Sequence, residues 1–565
     1  MLRAFLRERL DHVKKYWVFY VYFAVIGIIF LLTRLIHITT LPNGMHIDEI
    51  SMGYNTWTLT EFGTDRYGVS WPVYFNNAGS GQSSLYVYLA VIVSKFFGYS
   101  LLSLRLVSVF FGAILLIFGS KAAYEMFGIR CACITAAIID IMPVFIMSER
   151  WAFDCNAMLP MMAVVLFCSV KLIKTGRIKW ALFTGVNMGL TLYSYVLSFL
   201  MLPVFVTASL IYCIVTKKIS WKNIGLTALS GGLISIPILL YMAVVFKILP
   251  EFNIGSVSIT RASADRLSEI TWQGFGIKEF FSRVGSLTSY DRYDFMGGDK
   301  YGVFYLNTLH FFGFDISISQ ILLLCAFVFV TVMAIYNVVK RRDKVNYELI
   351  LLFYAIAVVY PMLLLTDLAI YRFNAVYLVF ALILAYAFDR MWANENRIVT
   401  LMFAVLFLYN FGSYCYYLGS GNFANDNKAL SYFDNDLLSI CETLNDEKYD
   451  NCQIYIDDTA TYNAGLIALY GLRVEPDKIS NVENMDTREM VYDNVHISIP
   501  SDIKTTEKAI YIIRDINSES AFYTTSYEQI ELYERLINNN KAKDVLLSMG
   551  VPYSIDHNYY IFELN

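Results

Sequence analysis

Apolar residues fill the first 417 of the 565 positions in runs of about 15–25, separated by short basic or aromatic turns. A run of about 20 apolar residues crosses a bilayer as a helix. The runs predict eleven crossings, at about 16–38, 104–126, 131–148, 159–174, 180–196, 198–216, 225–247, 318–339, 346–366, 372–388 and 398–417. The stretch 84–98 is also apolar, but it is short and holds Lys95. If it spanned, the later turns with Lys171, Lys174, Arg177 and Lys179, or with Lys340, Arg341, Arg342 and Lys344, would face outward, against the positive-inside bias. It is therefore predicted to lie at the outer interface. The first crossing follows Arg3, Arg7, Arg9, Lys14 and Lys15, which predicts a retained anchor with a cytoplasmic N-terminus.

That arrangement puts outside the loop 40–103, the turn Ser148 to Asp154, the loop of about 250–316, the turn Asp367 to Arg372, and everything after about 418. Residues 418–565 read as a separate α/β domain. Gln453 to Ile456 and Ala509 to Ile513 are buried-strand patterns, and between them Tyr462 to Tyr470 is helical and stops at Gly471. No Gly-rich phosphate loop stands between a strand and a helix.

Composition fixes the class. The chain is 57% hydrophobic and 16% charged, with a mean hydropathy of +0.49, which excludes an ordinary soluble protein. The net charge of -4 hides a division: from Gly419 onward 25 acidic side chains face 11 basic ones, so this part carries -14 and the membrane part +10. A basic membrane part favours lipid headgroups over nucleic acid as partner. The nine cysteines form no CxxC pair and sit mostly in apolar runs; only Cys441 and Cys452 fall where an exported domain could hold a disulfide.

Candidate chemistry gathers in the outer segments. Asp48 and Glu49 are adjacent acids in the first polar stretch after the first crossing, two residues beyond His46. Asp48 suits a general base, and it equally suits the cap of a following helix Ile50 to Phe62, with Glu49 in the first turn. His46 could hydrogen-bond a sugar or the base, or simply pack at the interface. Arg150 and Arg372 are the basic residues of the short outer turns; a guanidinium there can grip a phosphate or snorkel to water. Arg150 and Asp154 could instead form a local ion pair. Asp140 lies inside a crossing, where an ionisable group is expensive; a hydrogen bond between helices suits it better than a proton path. Asp291, Arg292, Asp294, Asp299, Lys300 and His310 could form a lid over the site, or a solvated charge run.

Taken in order, Asp48-Glu49, the spaced Gly63, Asp65, Gly68 and Pro72, Leu85-Tyr86, Gly98 with Leu104-Arg105-Leu106, Ser148-Glu149-Arg150 and Tyr371-Arg372-Phe373 resemble the GT-C fold glycosyltransferases. The most similar branch includes protein O-mannosyltransferases, lipid A aminoarabinose transferases and RgtA/B/C/D-like enzymes; the likeness covers about 1–390. The resemblance implies a membrane domain 1–417 followed by an extracytoplasmic domain 418–565, both belonging to a multi-pass plasma-membrane protein. It implies an inverting transfer of a sugar from a polyprenyl-phosphate donor to a glycan, lipid or protein acceptor on the outer face. Asp48 would be the base and Glu49 its tuner or the acceptor's orienter. Arg372, Tyr371 and Arg105 would hold the donor phosphate, while Glu149, Arg150, Asp154 and His46 would bind acceptor or sugar. The turn holds a single Asp154 and no DxD, so no cofactor and no metal ligand is expected, although a divalent ion is conceivable. Acceptor choice is expected to lie in the C-terminal domain and the loop 250–316. The reading from another class is a transporter or flippase of lipid-linked saccharides; such a protein would place its charges at the midplane and show paired repeats.

Overall fold

The computed structural model describes residues 2–261 apart from 43, 78 and 79, then 308–340, 345–365, 374–419 and 433–564 with internal breaks and a few isolated positions between. Among the described residues eight helices are long and apolar enough to cross a membrane. They begin with Trp17–Leu35 inside α1 (Leu2–Leu35) and end with Arg397–Tyr416. Three further expected crossings are helical but short: Ile178–Thr191, Tyr347–Val359, and a stretch broken into α5 (Ile129–Ile141) and α6 (Pro143–Ser148). The break has a local cause. Pro143 cannot donate to the helix ladder and pushes Met142 into extended backbone (φ -75, ψ 131), so a new helix starts at the proline.

Two spans, Asp154–Thr175 and Ala375–Ala393, are 94% and 83% buried, whereas Trp17–Leu35 and Arg397–Tyr416 are each 17% buried. The first two are the axis of the bundle and the others its lipid-facing rim. Helices α4 (Leu101–Phe127) and α7 (Met158–Thr175) pack along that axis.

The first loop is an ordered platform. Strand β1 (Met45–His46) runs into α2 (Ile47–Glu61), and a turn leads to the hairpin β2 (Phe75–Asn77) and β3 (Ser80–Gln82). In that turn Asp65 Oδ1 accepts the backbone N–H groups of Tyr67 and Val69, and Gly68 takes a left-handed φ of 75°. Helix α3 (Ser84–Phe97) has 14 residues; it buries Tyr86, Val87, Ala90 and Val91 against the platform and exposes Ile92, Phe96 and Phe97. A short helix with one buried and one bare apolar face suits the membrane boundary.

Beyond α7 come two small hairpins, β4 (Phe252–Ile254) with β5 (Val257–Ile259) and β6 (Thr308–Phe311) with β7 (Phe314–Ser317). The C-terminal part holds β8 (Phe433–Asp434), β9 (Gln453–Ile456), β10 (Met490–Tyr492), β11 (Val495–Ile497), β12 (Ala509–Arg514), β13 (Ala542–Asp544) and β14 (Tyr559–Leu564). Six of these form a mixed sheet in the order β10-β11-β9-β12-β14-β13, with β11, β9 and β12 parallel. The strands expected at 453 and 509 are present, and so is the expected helix, as Ala464–Gly471. Gly471 is its last residue; a Cβ there would stand 2.5 Å from Cys441 Cβ, so glycine lets two helices touch. Cys441 and Cys452 are both buried and are not joined as a disulfide.

The sheet domain is fastened to the platform. β8 pairs antiparallel with β1, Met45 opposite Asp434 and His46 opposite Phe433. One hydrophobic core runs through both, from Ile50, Met52 and Leu104 to Leu437, Leu469 and Ile510. The Tyr54 hydroxyl donates to the Val474 carbonyl, and Tyr470 lies against Gly53, where a Cβ would come within 2.6 Å of its ring.

Candidate active site

The adjacent acids at the start of α2 have opposite fates. Glu49 is the third helical residue, and its carboxylate turns back to accept the His46 N–H at 3.1 Å, closing a capping box in which His46 caps the helix. The same carboxylate takes Arg105 Nε and Nη2, both at 3.0 Å, and the Ala152 N–H at 2.7 Å. Both side chains are fully buried. Arg105 has five N–H donors, and the other three go to the carbonyls of Ile38, Pro42 and Gly44. The pair is thus saturated, and it ties α2, α4 and the turn after α6 to the end of α1.

Asp48 points elsewhere. Its side chain is 35% exposed; Oδ1 lies 3.5 Å from Asn77 Nδ2, and Oδ2 lies 3.7 Å from His46 Nδ1. That second contact is not a charged pair, because His46 Nδ1 accepts the Asp48 N–H at 3.1 Å and must be unprotonated to do so. Burial lowers the His46 pKa below its ordinary value, with Asp48 and Glu49 opposing. Its ring stands edge-on to Phe153 at 4.7 Å.

The turn 148–154 divides in the same way. Glu149 accepts from Arg34 Nε at 2.7 Å, and Arg34 Nη1 also reaches the Asp140 carbonyl at 2.6 Å and its carboxylate at 3.3 Å. Asp140 therefore has its helix-to-helix partner, a buried arginine on α1 that the sequence did not single out. Arg150 donates to the carbonyls of Thr33, Ile36 and Leu41, capping the open end of α1. Asp154 is half-buried; its Oδ2 accepts the Ser83 N–H at 3.0 Å, which ties the turn to the start of α3. Of the acids at the start of α2 and in this turn, Asp48 and Asp154 keep partial exposure, whereas Glu49 and Glu149 are buried. Tyr371 and Arg372 lie outside the described residues, as do Asp291, Arg292, Asp294, Asp299 and Lys300, and the side chain of His310.

Residues 82–243, from β3 into the span Trp221–Val245, match the family model described as dolichyl-phosphate-mannose-protein mannosyltransferase. The solved structures with the same architecture include ArnT from Cupriavidus metallidurans bound to undecaprenyl phosphate, at a TM-score of 0.56 and 12% identity over 97% of this chain and 98% of that one. The chain has the GT-C glycosyltransferase fold. Two forms of the Archaeoglobus fulgidus oligosaccharyltransferase share the GT-C architecture at 15% identity. The form tethered with an acceptor peptide containing the NVT sequon has a TM-score of 0.53, over 82% of this chain and 64% of that one. The complex with Zn and sulfate has 0.52, over 80% and 61%. No protein of curated function matches the chain in sequence. Among the described residues of this GT-C chain no three acids, histidines or cysteines gather as a metal site.

Sequence reasoning picked out the acid pair and the charged turns. It missed Arg34, and it missed Ser51, Arg66 and Asn77, which stand behind Asp48. A lone arginine inside an apolar run and an arginine next to a turn aspartate carry no pattern that marks them.

Proposed function

We propose that this chain transfers a sugar from a polyprenyl-phosphate donor to an acceptor hydroxyl on the outer face of the membrane, with inversion and with Asp48 as general base. The observation that carries the reading is the split of the acid pair: Glu49 has every lone pair engaged, while the Asp48 side chain is partly open to solvent and, among the described residues, keeps one carboxylate oxygen without a close hydrogen bond. In the reaction Asp48 Oδ2 takes the acceptor O–H proton as that oxygen bonds to the anomeric carbon. The bond from that carbon to the phosphate oxygen breaks on the opposite face, and polyprenyl phosphate leaves with the electron pair.

The other roles follow from engagement. Arg105, with all five donors in use, acts as the clamp on Glu49 and not as a phosphate ligand; Glu149 and Arg150 fasten α1. Asp154, which keeps partial exposure, is proposed to meet acceptor or sugar, whereas His46 is buried and caps α2. Arg372 and Tyr371 are proposed to hold the donor phosphate, because a guanidinium can replace the water lost by the leaving group. The undecaprenyl phosphate of the ArnT structure supports a polyprenyl carrier of this kind.

The test is transfer from a mixed pool of polyprenyl-phosphate sugars to native envelope, by membranes carrying the parent or Asp48→Asn. Asparagine keeps the size and the neighbouring hydrogen bonds and removes the base, so the rate should fall by about 10²–10⁴-fold. Equal rates, or no transfer by the parent from any donor, would sink the proposal and bring the transporter reading forward.

A further inference from the structure

Behind Asp48 the platform buries an arginine with no carboxylate bonded to it among the described residues. Arg66 is 1% exposed and leaves the turn after α2 pointing at the helix and the hairpin. Its Nη1 donates to Ser51 Oγ at 3.0 Å; its Nη2 donates to the Asn76 carbonyl and to Asn77 Oδ1, both at 2.9 Å. Ser51 Oγ in turn donates to Asn77 Oδ1 at 2.8 Å. Its hydrogen-bond acceptors are all neutral and the neighbouring Asp65 carboxylate acts on it only through space, so the burial is costly and the arrangement calls for a use.

The direction of every bond in this ring is fixed by chemistry. A guanidinium only donates, so Ser51 must accept from it and pass its own proton on, and the atom of Asn77 facing both must be the carbonyl oxygen. The amide N–H₂ of Asn77 is therefore turned the other way, toward Asp48 Oδ1 at 3.5 Å. Ser51 sits three residues after Asp48 on α2, so the fork also holds the helix face that carries the acid against the hairpin.

We propose that Arg66 is a positioning residue for Asp48: acting through Asn77, it holds an amide N–H on Oδ1 and so leaves Oδ2 to receive the acceptor proton. This rests on the reading of Asp48 as the base. Arg66 touches neither substrate nor reacting atom; it sets which way the amide faces and which carboxylate oxygen is free.

The discriminating variant is Asn77→Asp, made in the full chain in the parent and in the Asp48→Asn background, and assayed with the polyprenyl-phosphate sugar that the parent uses. It keeps an oxygen for Arg66 and Ser51, adds the carboxylate the arginine lacks, and replaces the N–H facing Asp48 with a second acceptor. We expect kcat to fall about 10–100-fold, with the donor KM within about 2-fold and the thermal midpoint kept. In the Asp48→Asn background the same change should cost nothing further. Arg66→Lys, which keeps the charge and loses the fork, should retain more kcat than Arg66→Met. Parent-like kcat in Asn77→Asp, losses that multiply in the double variant, or a collapse of its thermal midpoint would each overturn the role given to Arg66. Parent-like activity of Asp48→Asn alone would instead overturn the base assignment, so the two failures are separable.

Discussion

Replacing Arg105 with methionine separates a clamp from a ligand. The substitution keeps most of the apolar stem and removes five donors: two to Glu49 and one each to Ile38, Pro42 and Gly44. Glu49 would be left a buried carboxylate holding only the N–H groups of His46 and Ala152. Removing one partner of a buried ion pair costs about 3–5 kcal/mol, mostly because the other charge stays desolvated. Against a typical net stability of about 5–15 kcal/mol that is a large share, so Arg105→Met should melt several degrees earlier in detergent and be cut sooner by protease in the first loop. Arg105→Met combined with Glu49→Leu removes both charges and should recover much of the loss. Donor KM, measured on whatever protein remains folded, should stay near the parent value. A variant with parent stability and a donor KM raised ten-fold or more would refute the clamp and return Arg105 to the donor phosphate.

Two further outcomes are expected. Burial pushes the Asp65 pKa up to about 6, against its two backbone donors and Arg66, so the folded chain holds this proton more readily than the unfolded chain, whose value lies near 3.9. The stabilising share of Asp65 is complete below that lower value and is lost as pH rises through about 6; Asp65→Asn, which keeps an oxygen for Tyr67 and Val69, should flatten the thermal midpoint between about pH 4 and pH 6, and an unchanged slope would count against it. Gly471→Ala would put its Cβ 2.5 Å from Cys441 Cβ, an overpacking worth about 1–3 kcal/mol, and should loosen the C-terminal domain to proteolysis while the membrane spans stay intact.

The apolar runs were legible because a bilayer demands length and composition together, and most expected crossings coincide with helices. The stretch 131–148 read as a single span because its hydropathy is continuous; the break at Met142-Pro143 is a backbone event that composition does not register. The strands at 453 and 509 announced themselves through buried β-branched and aromatic runs, whereas β1 and β8 are two residues each and carry no periodicity. The acid pair was visible as a pair. Which of its members is structural depended on Arg105, 56 positions away, and on the Ala152 N–H, 103 positions away. Asp140 was marked as needing a partner, yet Arg34 lay 106 residues upstream at the end of another apolar run.

The pairing of β8 with β1 also sets a clock. His46, which caps the helix bearing Asp48, finds its strand partner at Phe433, 387 residues later in the chain. At about 5–20 residues per second, a ribosome needs roughly 20–80 s to supply that partner after the first loop has emerged. During that interval the acid-bearing helix has its membrane neighbours but neither its edge strand nor the core beneath Tyr470. The platform is therefore completed only when the last quarter of the chain has been made.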